Sequence, residues 1–172
     1  YGSRINRDHS PVLVYSIPVL SVLAASMLPS LILASSVPIV PPFGFLMLLG
    51  WRLVRPGLFP VWAGFPLGAF DDLFSGQPFG SAILLWSLVM IGIEIIEVRF
   101  PWRSFVQDWI TFSMVIIGYI RAAMLFSGAD VTIPGIIAVG PQALLSLLLF
   151  PIIARMVARF DRFRLMRVRT VG

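Results

Sequence analysis

The most informative stretch for the fold of this chain is residues 60 to 86, Pro60-Val-Trp-Ala-Gly-Phe-Pro-Leu-Gly-Ala-Phe-Asp-Asp-Leu-Phe-Ser-Gly-Gln-Pro-Phe-Gly-Ser-Ala-Ile-Leu-Leu-Trp86. Apolar sequence lies on both sides of two adjacent carboxylates, Asp71 and Asp72. In a chain as hydrophobic as this one, the doublet falls at or near the end of a membrane segment. An ionisable residue at that depth is costly enough to require a structural or functional reason.

The composition identifies the class of protein. Hydrophobic residues make up 58% of the 172 residues and charged residues only 12%, and the mean hydropathy is +0.94. A soluble domain carries roughly a quarter charged residues, so about half of the usual charge is present. The chain has no cysteine, which excludes disulfides and thiolate metal sites. The sequence therefore predicts one integral membrane domain, all-α in fold.

Six apolar runs divide the chain, and we expect six transmembrane helices from them. They are Val12–Ser35, Ile39–Val54, Leu58–Leu73, Phe79–Ile96, Phe105–Phe126 and Ile133–Val157. A crossing needs about 20 residues, and the second and third runs are short and rich in Pro and Gly. They could form a re-entrant pair, but its tip would carry Arg52 and Arg55 into the membrane unpaired. Because that is costly, full crossings are favoured.

Arginine supplies all thirteen cationic residues, and their positions predict the topology. All but Arg121 fall in the N-terminal arm, the second-to-third turn, the fourth-to-fifth turn and the C-terminal tail. By the positive-inside rule both termini are cytoplasmic. The predicted parts are a cytoplasmic arm (1–11), a membrane core (12–157) and an arginine-rich cytoplasmic tail (158–172). The basic residues assigned to the tail region are Arg155, Arg159, Arg162, Arg164, Arg167 and Arg169.

Arg121 lies inside the fifth run, at about the depth of Asp71 and Asp72. Two interpretations remain open: an ion pair with the doublet, with Asp72 the favoured acid, or a guanidinium that reaches the headgroups beside water-facing aspartates. Glu94 and Glu97 are expected to neutralise Arg99 or Arg103. Asp108, in a first helical turn, suits the helix dipole.

Catalysis has little to use in this sequence. A single histidine and no cysteine exclude the usual zinc sites. The doublet is one acidic cluster, whereas metal-pyrophosphate chemistry of the membrane prenyltransferase kind requires two that share magnesium ions. We therefore predict no enzyme activity, no cofactor and no catalytic or metal-binding residue.

The whole chain resembles the MreD family of bacterial rod shape-determining membrane proteins. The resemblance rests on length, hydropathy profile, a Trp/Arg-Pro turn (Trp51-Arg-Leu-Val-Arg-Pro56) and a Gly-x-x-x-Asp-x-x-x-Gly-x-Pro-x-Gly pattern. The pattern is formed here by Gly68, Asp72, Gly76, Pro78 and Gly80. It implies a fold similar to the substrate-binding subunits of energy-coupling-factor transporters.

The resemblance implies a multi-pass protein of the bacterial inner membrane, a scaffold of the rod (elongation) complex that helps to organise peptidoglycan synthesis. Its expected partners are MreC first, then RodA, a class B penicillin-binding transpeptidase and MreB through the complex, together with the lipid bilayer and no nucleic acid. Small residues are predicted to form a notch for a partner helix. They are Gly64, Gly68, Ala69, Gly80, Ser81 and Ala82.

A rival interpretation is a subunit that binds a vitamin-like small molecule for a transporter. Such a subunit should enclose a pocket with convergent polar groups. The outer loops of this chain are short, which favours the adapter. A channel or flippase subunit would need a continuous polar stripe across the membrane, and the sequence has none.

Overall fold

The computed structural model describes residues 11–32, 40–99, 105–128 and 133–165. These residues form six α-helices, which confirms the predicted all-α class. The helices are α1 (Pro11–Ile32), α2 (Phe43–Val54), α3 (Gly64–Asp72, preceded by a single 3-10 turn at Val61–Ala63), α4 (Ser81–Arg99), α5 (Phe105–Phe126) and α6 (Ile133–Arg164).

Four of the helices are long and apolar enough to cross a membrane. The spans lie at Val14–Leu31, Ser81–Arg99, Val106–Phe126 and Ile137–Arg164. By contrast, α2 has 12 residues and is about 18 Å long, short of a hydrocarbon core of about 30 Å. The second and third apolar runs are thus longer than the helices they contain, because the residues before Phe43 and Val61 are not helical.

α2 lies at the centre of the bundle and contacts α1, α5 and α6. Every residue from Gly44 to Arg52 is buried. The ring of Phe45 stacks on Tyr119 of α5 at 3.9 Å between centroids and contacts Trp86 of α4. A short helix is tolerated here because its neighbours, rather than lipid or headgroups, surround it.

The helices define two ends of the molecule. At the aspartate end α3 finishes and α4 starts; at the arginine end α1 starts and α6 finishes. The arginine end is closed by Arg164, whose Nη1 donates to the carbonyl oxygen of Val14 at 2.9 Å. That carbonyl is available because Pro18, four residues on, has no N–H to donate.

The last two turns of α6 pack on the bundle. The helix continues past Val157, the predicted end of the membrane core, to Arg164. Arg155, Arg159 and Arg162 are exposed, whereas Arg164 is buried. Arg164 therefore belongs to the folded core rather than to a free basic tail. Arg167 and Arg169 lie outside the described residues.

Candidate functional site

Asp72 caps α4 from the end of the preceding helix. Its carboxylate, on a residue only 6% exposed, accepts hydrogen bonds from the backbone N–H of Gly80 and Ala82 at 2.8 Å each. The N–H of Ile83 donates at 3.2 Å, and the Ser81 hydroxyl donates at 3.3 Å. The first N–H groups of a helix lack intrahelical partners and carry partial positive charge. The Asp72 carboxylate both accepts hydrogen bonds from these N–H groups and places a negative charge beside them.

Two glycines of α3 bring the two helices into backbone contact. A Cβ placed on Gly68 would lie 2.7 Å from the carbonyl oxygen of Ala82, and one on Gly64 would lie 2.9 Å from that of Trp86. Gly64, Gly68 and Asp72 recur every four residues and so share one face of α3. The close approach of that face to α4 is what lets the Asp72 carboxylate reach the α4 N-terminus.

The turn between α3 and α4 uses the other two glycines of the pattern. Gly76 has φ +68° and Gly80 has φ +102°, values that side chains disfavour. The carbonyl oxygen of Pro78 accepts the N–H of Ser81 at 3.1 Å. The pattern from Gly68 to Gly80 is therefore one structural unit: helix contact, cap and turn.

This unit gives most residues of the predicted partner notch a role within the chain. Gly64, Gly68, Ser81 and Ala82 are buried, with the two glycines of α3 set directly against α4. Only Ala69 and Gly80 of the predicted set are partly exposed. The glycines of α3 therefore pack within the chain, against the backbone of α4.

Asp71 points to a different part of the molecule from Asp72. It is 7% exposed and lines a cavity of about 500 Å³ at the aspartate end, walled by α1, α2, α5 and α6. A Cβ on Gly44 would overlap the Ser26 hydroxyl and lie 3.0 Å from Oδ1 of Asp71. The hydroxyl of Ser26 and the carboxylate of Asp71 therefore meet at Gly44, beside the start of α2.

The predicted ion pair between the doublet and Arg121 is not formed. Arg121 is exposed on α5, and none of the ion pairs within the described residues includes it. Asp72 has its oxygens on the α4 N-terminus instead. The sequence predicts a similar depth in the membrane for Arg121 and the aspartate doublet. It does not predict that they face different sides of the bundle.

A buried arginine holds the arginine end together. Arg52 is 0% exposed, and its Nη2 lies 2.8 Å from Glu94 and 2.8 Å from Glu97. Its Nη1 donates to the carbonyl oxygen of Phe59 at 3.2 Å. The two glutamates thus pair with α2, across the bundle. The predicted partner Arg99 is not among their described ion pairs, and Arg103 lies outside the described residues.

A second charged cluster joins α6 to α1 and α2. Asp161 accepts from Arg55 at 2.9 Å and from Arg164 at 2.8 Å. The Arg164 guanidinium lies 5.5 Å from the centre of the Trp51 ring, within the range of a cation–π contact. Trp51 in turn donates through Nε1 to Ser21 at 2.8 Å.

The described residues contain no group of three or more His, Cys, Asp or Glu side chains that could hold a metal ion. The geometry of the two ends is that of helix caps, ion pairs and close packing. Such an arrangement positions helices and shapes surfaces.

Comparison with known families decides the identity of this arrangement. The family described as rod shape-determining protein MreD matches residues 8–164. The chain belongs to the MreD family. No curated protein and no solved structure matches it, so the predicted likeness to substrate-binding subunits of energy-coupling-factor transporters stays a prediction.

Membership gives this MreD protein a role in determining rod shape. The match includes the α3–α4 unit and both charged clusters. Sequence reasoning missed the roles of Arg52, Asp161 and Ser26. Acids three residues apart at Glu94 and Glu97, facing a turn with two arginines, were the available signal for the Arg52 cluster.

This MreD protein also carries an apolar groove between α1 and α3. The groove has a volume of about 600 Å³ and is lined by residues such as Pro18, Leu23, Ala63, Pro66 and Phe70. Trp62 stands at its side, 71% exposed. The groove lies on the opposite side of α3 from the notch that α4 fills.

Proposed function

We propose that this protein is a non-enzymatic membrane adapter of the rod-shape complex and that it binds the transmembrane helix of MreC. Through that complex it would help to organise peptidoglycan synthesis with RodA, a class B penicillin-binding transpeptidase and MreB. Membership of the MreD family supports the role in cell shape. The groove between α1 and α3 is the observation that carries the adapter role.

The chemistry of the groove suits a helix from another membrane protein. Its lining is almost wholly apolar, so hydrophobicity alone does not favour a partner helix over lipid. Association of helices in a bilayer then depends on fit and close packing. Ala63, Pro18 and Pro66 are short side chains that leave a concave surface. A cylindrical helix fills such a surface better than disordered acyl chains do.

The membrane arrangement is part of the same proposal. We infer six crossings, with both termini in the cytoplasm and the aspartate end outside the inner membrane. The first turn of α1 and the last turn of α6 meet at the arginine end. Exposed Arg155, Arg159 and Arg162 lie at the same end, where each arginine near anionic lipid contributes about 1 kcal/mol. MreB would approach from that side.

Site-directed crosslinking tests the groove. The natural chain has no cysteine, so Trp62→Cys introduces the only thiol in this protein. We expect it to form disulfides with single cysteines placed along the MreC helix, at positions that recur every three to four residues. Leu148→Cys is the matched control: it is an equally apolar, 60% exposed site on α6, away from the groove.

Crosslinks that form from Leu148→Cys and not from Trp62→Cys would place the MreC helix elsewhere and reject the groove as its site. Rod-shape complementation by both variants shows that each remains folded.

The alternative function, a subunit that binds a small molecule, has one observation in its favour. The cavity at the aspartate end falls within the 300–1,000 Å³ typical of ligand sites. The short outer loops argued against such a pocket, but the ends of α1, α2, α5 and α6 form most of its walls, and the turns at residues 40–42 and 74–77 complete them.

A further inference from the structure

We propose that the aspartate-end cavity binds an ammonium group that carries an apolar body, with Asp71 as its counter-ion. This inference does not depend on the adapter role. It rests on the shape of the cavity, on the burial of Asp71 without a described ion pair, and on the residues that line the walls.

The cavity exists because α2 is shorter than its neighbours. α2 begins at Phe43, level with Ser26 of α1, whereas α1 continues to Ile32. α5 likewise continues beyond Tyr119, the ring stacked on Phe45, to Phe126. The space above the start of α2 is therefore enclosed by the ends of taller helices and opens toward the end of the bundle.

Asp71 places a carboxyl group in this space without an ion-pair partner among the described residues. Its residue is 7% exposed, and none of the ion pairs within the described residues includes it. A buried carboxylate is costly unless it is paired. The Asp72 carboxylate is not available to a ligand in this cavity, because its oxygens accept hydrogen bonds from the α4 N-terminus.

No other part of the aspartate end can supply the missing cation. The segments between α1 and α2, α3 and α4, and α5 and α6 contain no Lys, Arg or His in the sequence, and the last of them adds Asp130. Arg121 is exposed on α5. A positive charge that balances Asp71 must therefore come from outside the chain.

The walls select an ammonium with an apolar body over a hydrated metal ion. Three aromatic rings, those of Phe43, Phe74 and Tyr119, line the cavity, and aromatic faces attract organic cations. Gln142 also lines it and uses its amide N–H to bind the carbonyl oxygen of Val40 at 2.7 Å. Its amide oxygen can accept an N–H from the ligand. An ammonium has three such donors, which Asp71 and Gln142 can share.

Two sources offer this chemistry: a free amine from the outer aqueous side, and the ethanolamine headgroup of a phospholipid. The cavity opens at an end of the bundle, where lipid headgroups and water both have access. The experiment separates the two.

The free-amine arm uses the full chain in nanodiscs of phosphatidylglycerol, a lipid whose headgroup has no ammonium group. Calorimetric titration compares 2-phenylethylammonium with 2-phenylethanol and 3-phenylpropanoate, which keep the ring but remove or reverse the charge. We expect saturable binding of the ammonium alone. Asp71→Asn, which keeps the shape of the side chain, should weaken that binding at least tenfold.

The lipid arm uses nanodiscs that contain phosphatidylethanolamine, followed by native mass spectrometry. Retention of this lipid by the natural chain, and its loss in Asp71→Asn, would assign the headgroup as the ligand. Saturable binding in the first arm alone would assign a free amine.

Arg121→Gln is the matched control, since it changes one charge at a similar depth on an exposed face. It should leave both readouts unchanged. Equal binding of ammonium and alcohol, or equal binding by the natural chain and a folded Asp71→Asn variant, would overturn the proposal. Folding of the variant is checked by its elution as a monodisperse species and by its circular dichroism.

Discussion

Asp71 and Asp72 are neighbours in sequence with separate tasks. Successive residues of a helix point about 100° apart, so one carboxylate reaches the N-terminus of α4 and the other lines the cavity. Asp72 is the acid of the family pattern, and its partners are backbone N–H groups rather than Arg121. Its contribution is therefore to the stability of the α3–α4 unit.

Asp72→Ala should lower the free energy of unfolding by about 2 kcal/mol, because it removes a charged cap from three N–H groups. Asp72→Asn should cost less, since an amide oxygen also caps helices well. Thermal unfolding in detergent measures both. Arg121→Ala should add independently to either change; a strong non-additive coupling would restore the ion pair that the structure lacks.

At the scale of elements, α3 and α4 are joined by backbone contact at two glycines. The sequence predicts that these small residues form a notch for a partner helix. In the structure, α4 of the same chain packs against the two glycines. Substitution there should therefore affect folding before it affects assembly. The groove on the other side of α3 is the surface that we propose for a partner helix.

Gly68→Ala should destabilise the protein by about 1–3 kcal/mol, because the new Cβ would lie 2.7 Å from a backbone carbonyl oxygen that cannot move freely. Gly92→Ala, in α4, is the control: open space surrounds that glycine, and alanine favours a helix. Thermal unfolding of the pair should separate them clearly. Equal melting temperatures would show that the α3–α4 contact is looser than the structure has it.

For the whole molecule, the proposed arrangement in the membrane rests on which charges lie at which end. The arginine end holds Arg52, Arg55 and Arg164 in ion pairs and three exposed arginines on α6. The aspartate end is acidic. By the positive-inside rule, this asymmetry predicts that the arginine end is cytoplasmic.

An impermeant thiol reagent applied to intact spheroplasts should label Ser75→Cys and Ser127→Cys, both exposed at the aspartate end. Pro56→Cys, exposed at the arginine end, should be labelled only after the cells are broken. The reverse pattern would invert the molecule. Labelling of all three in intact cells would show that α2 and α3 form a re-entrant pair rather than two crossings.

The sequence by itself determined the properties that depend on composition and on position along the chain. The membrane class, the helices, the segregation of arginine and the Gly68–Gly80 pattern could all be read from it, because hydropathy, charge and turn chemistry act over a few residues. The lengths of α2 and α3 could not, since non-helical residues before Phe43 and Val61 are as apolar as helical ones.

Only the tertiary structure decided which groups meet. Arg52 pairs with Glu94 and Glu97 across more than forty residues of sequence, the α3 glycines face α4, and Asp71 faces a cavity instead of Arg121. Each outcome depends on which helix packs beside which and on its rotation about its own axis. Depth in the membrane can be estimated from sequence, but rotation is set by the fit of all the helices together.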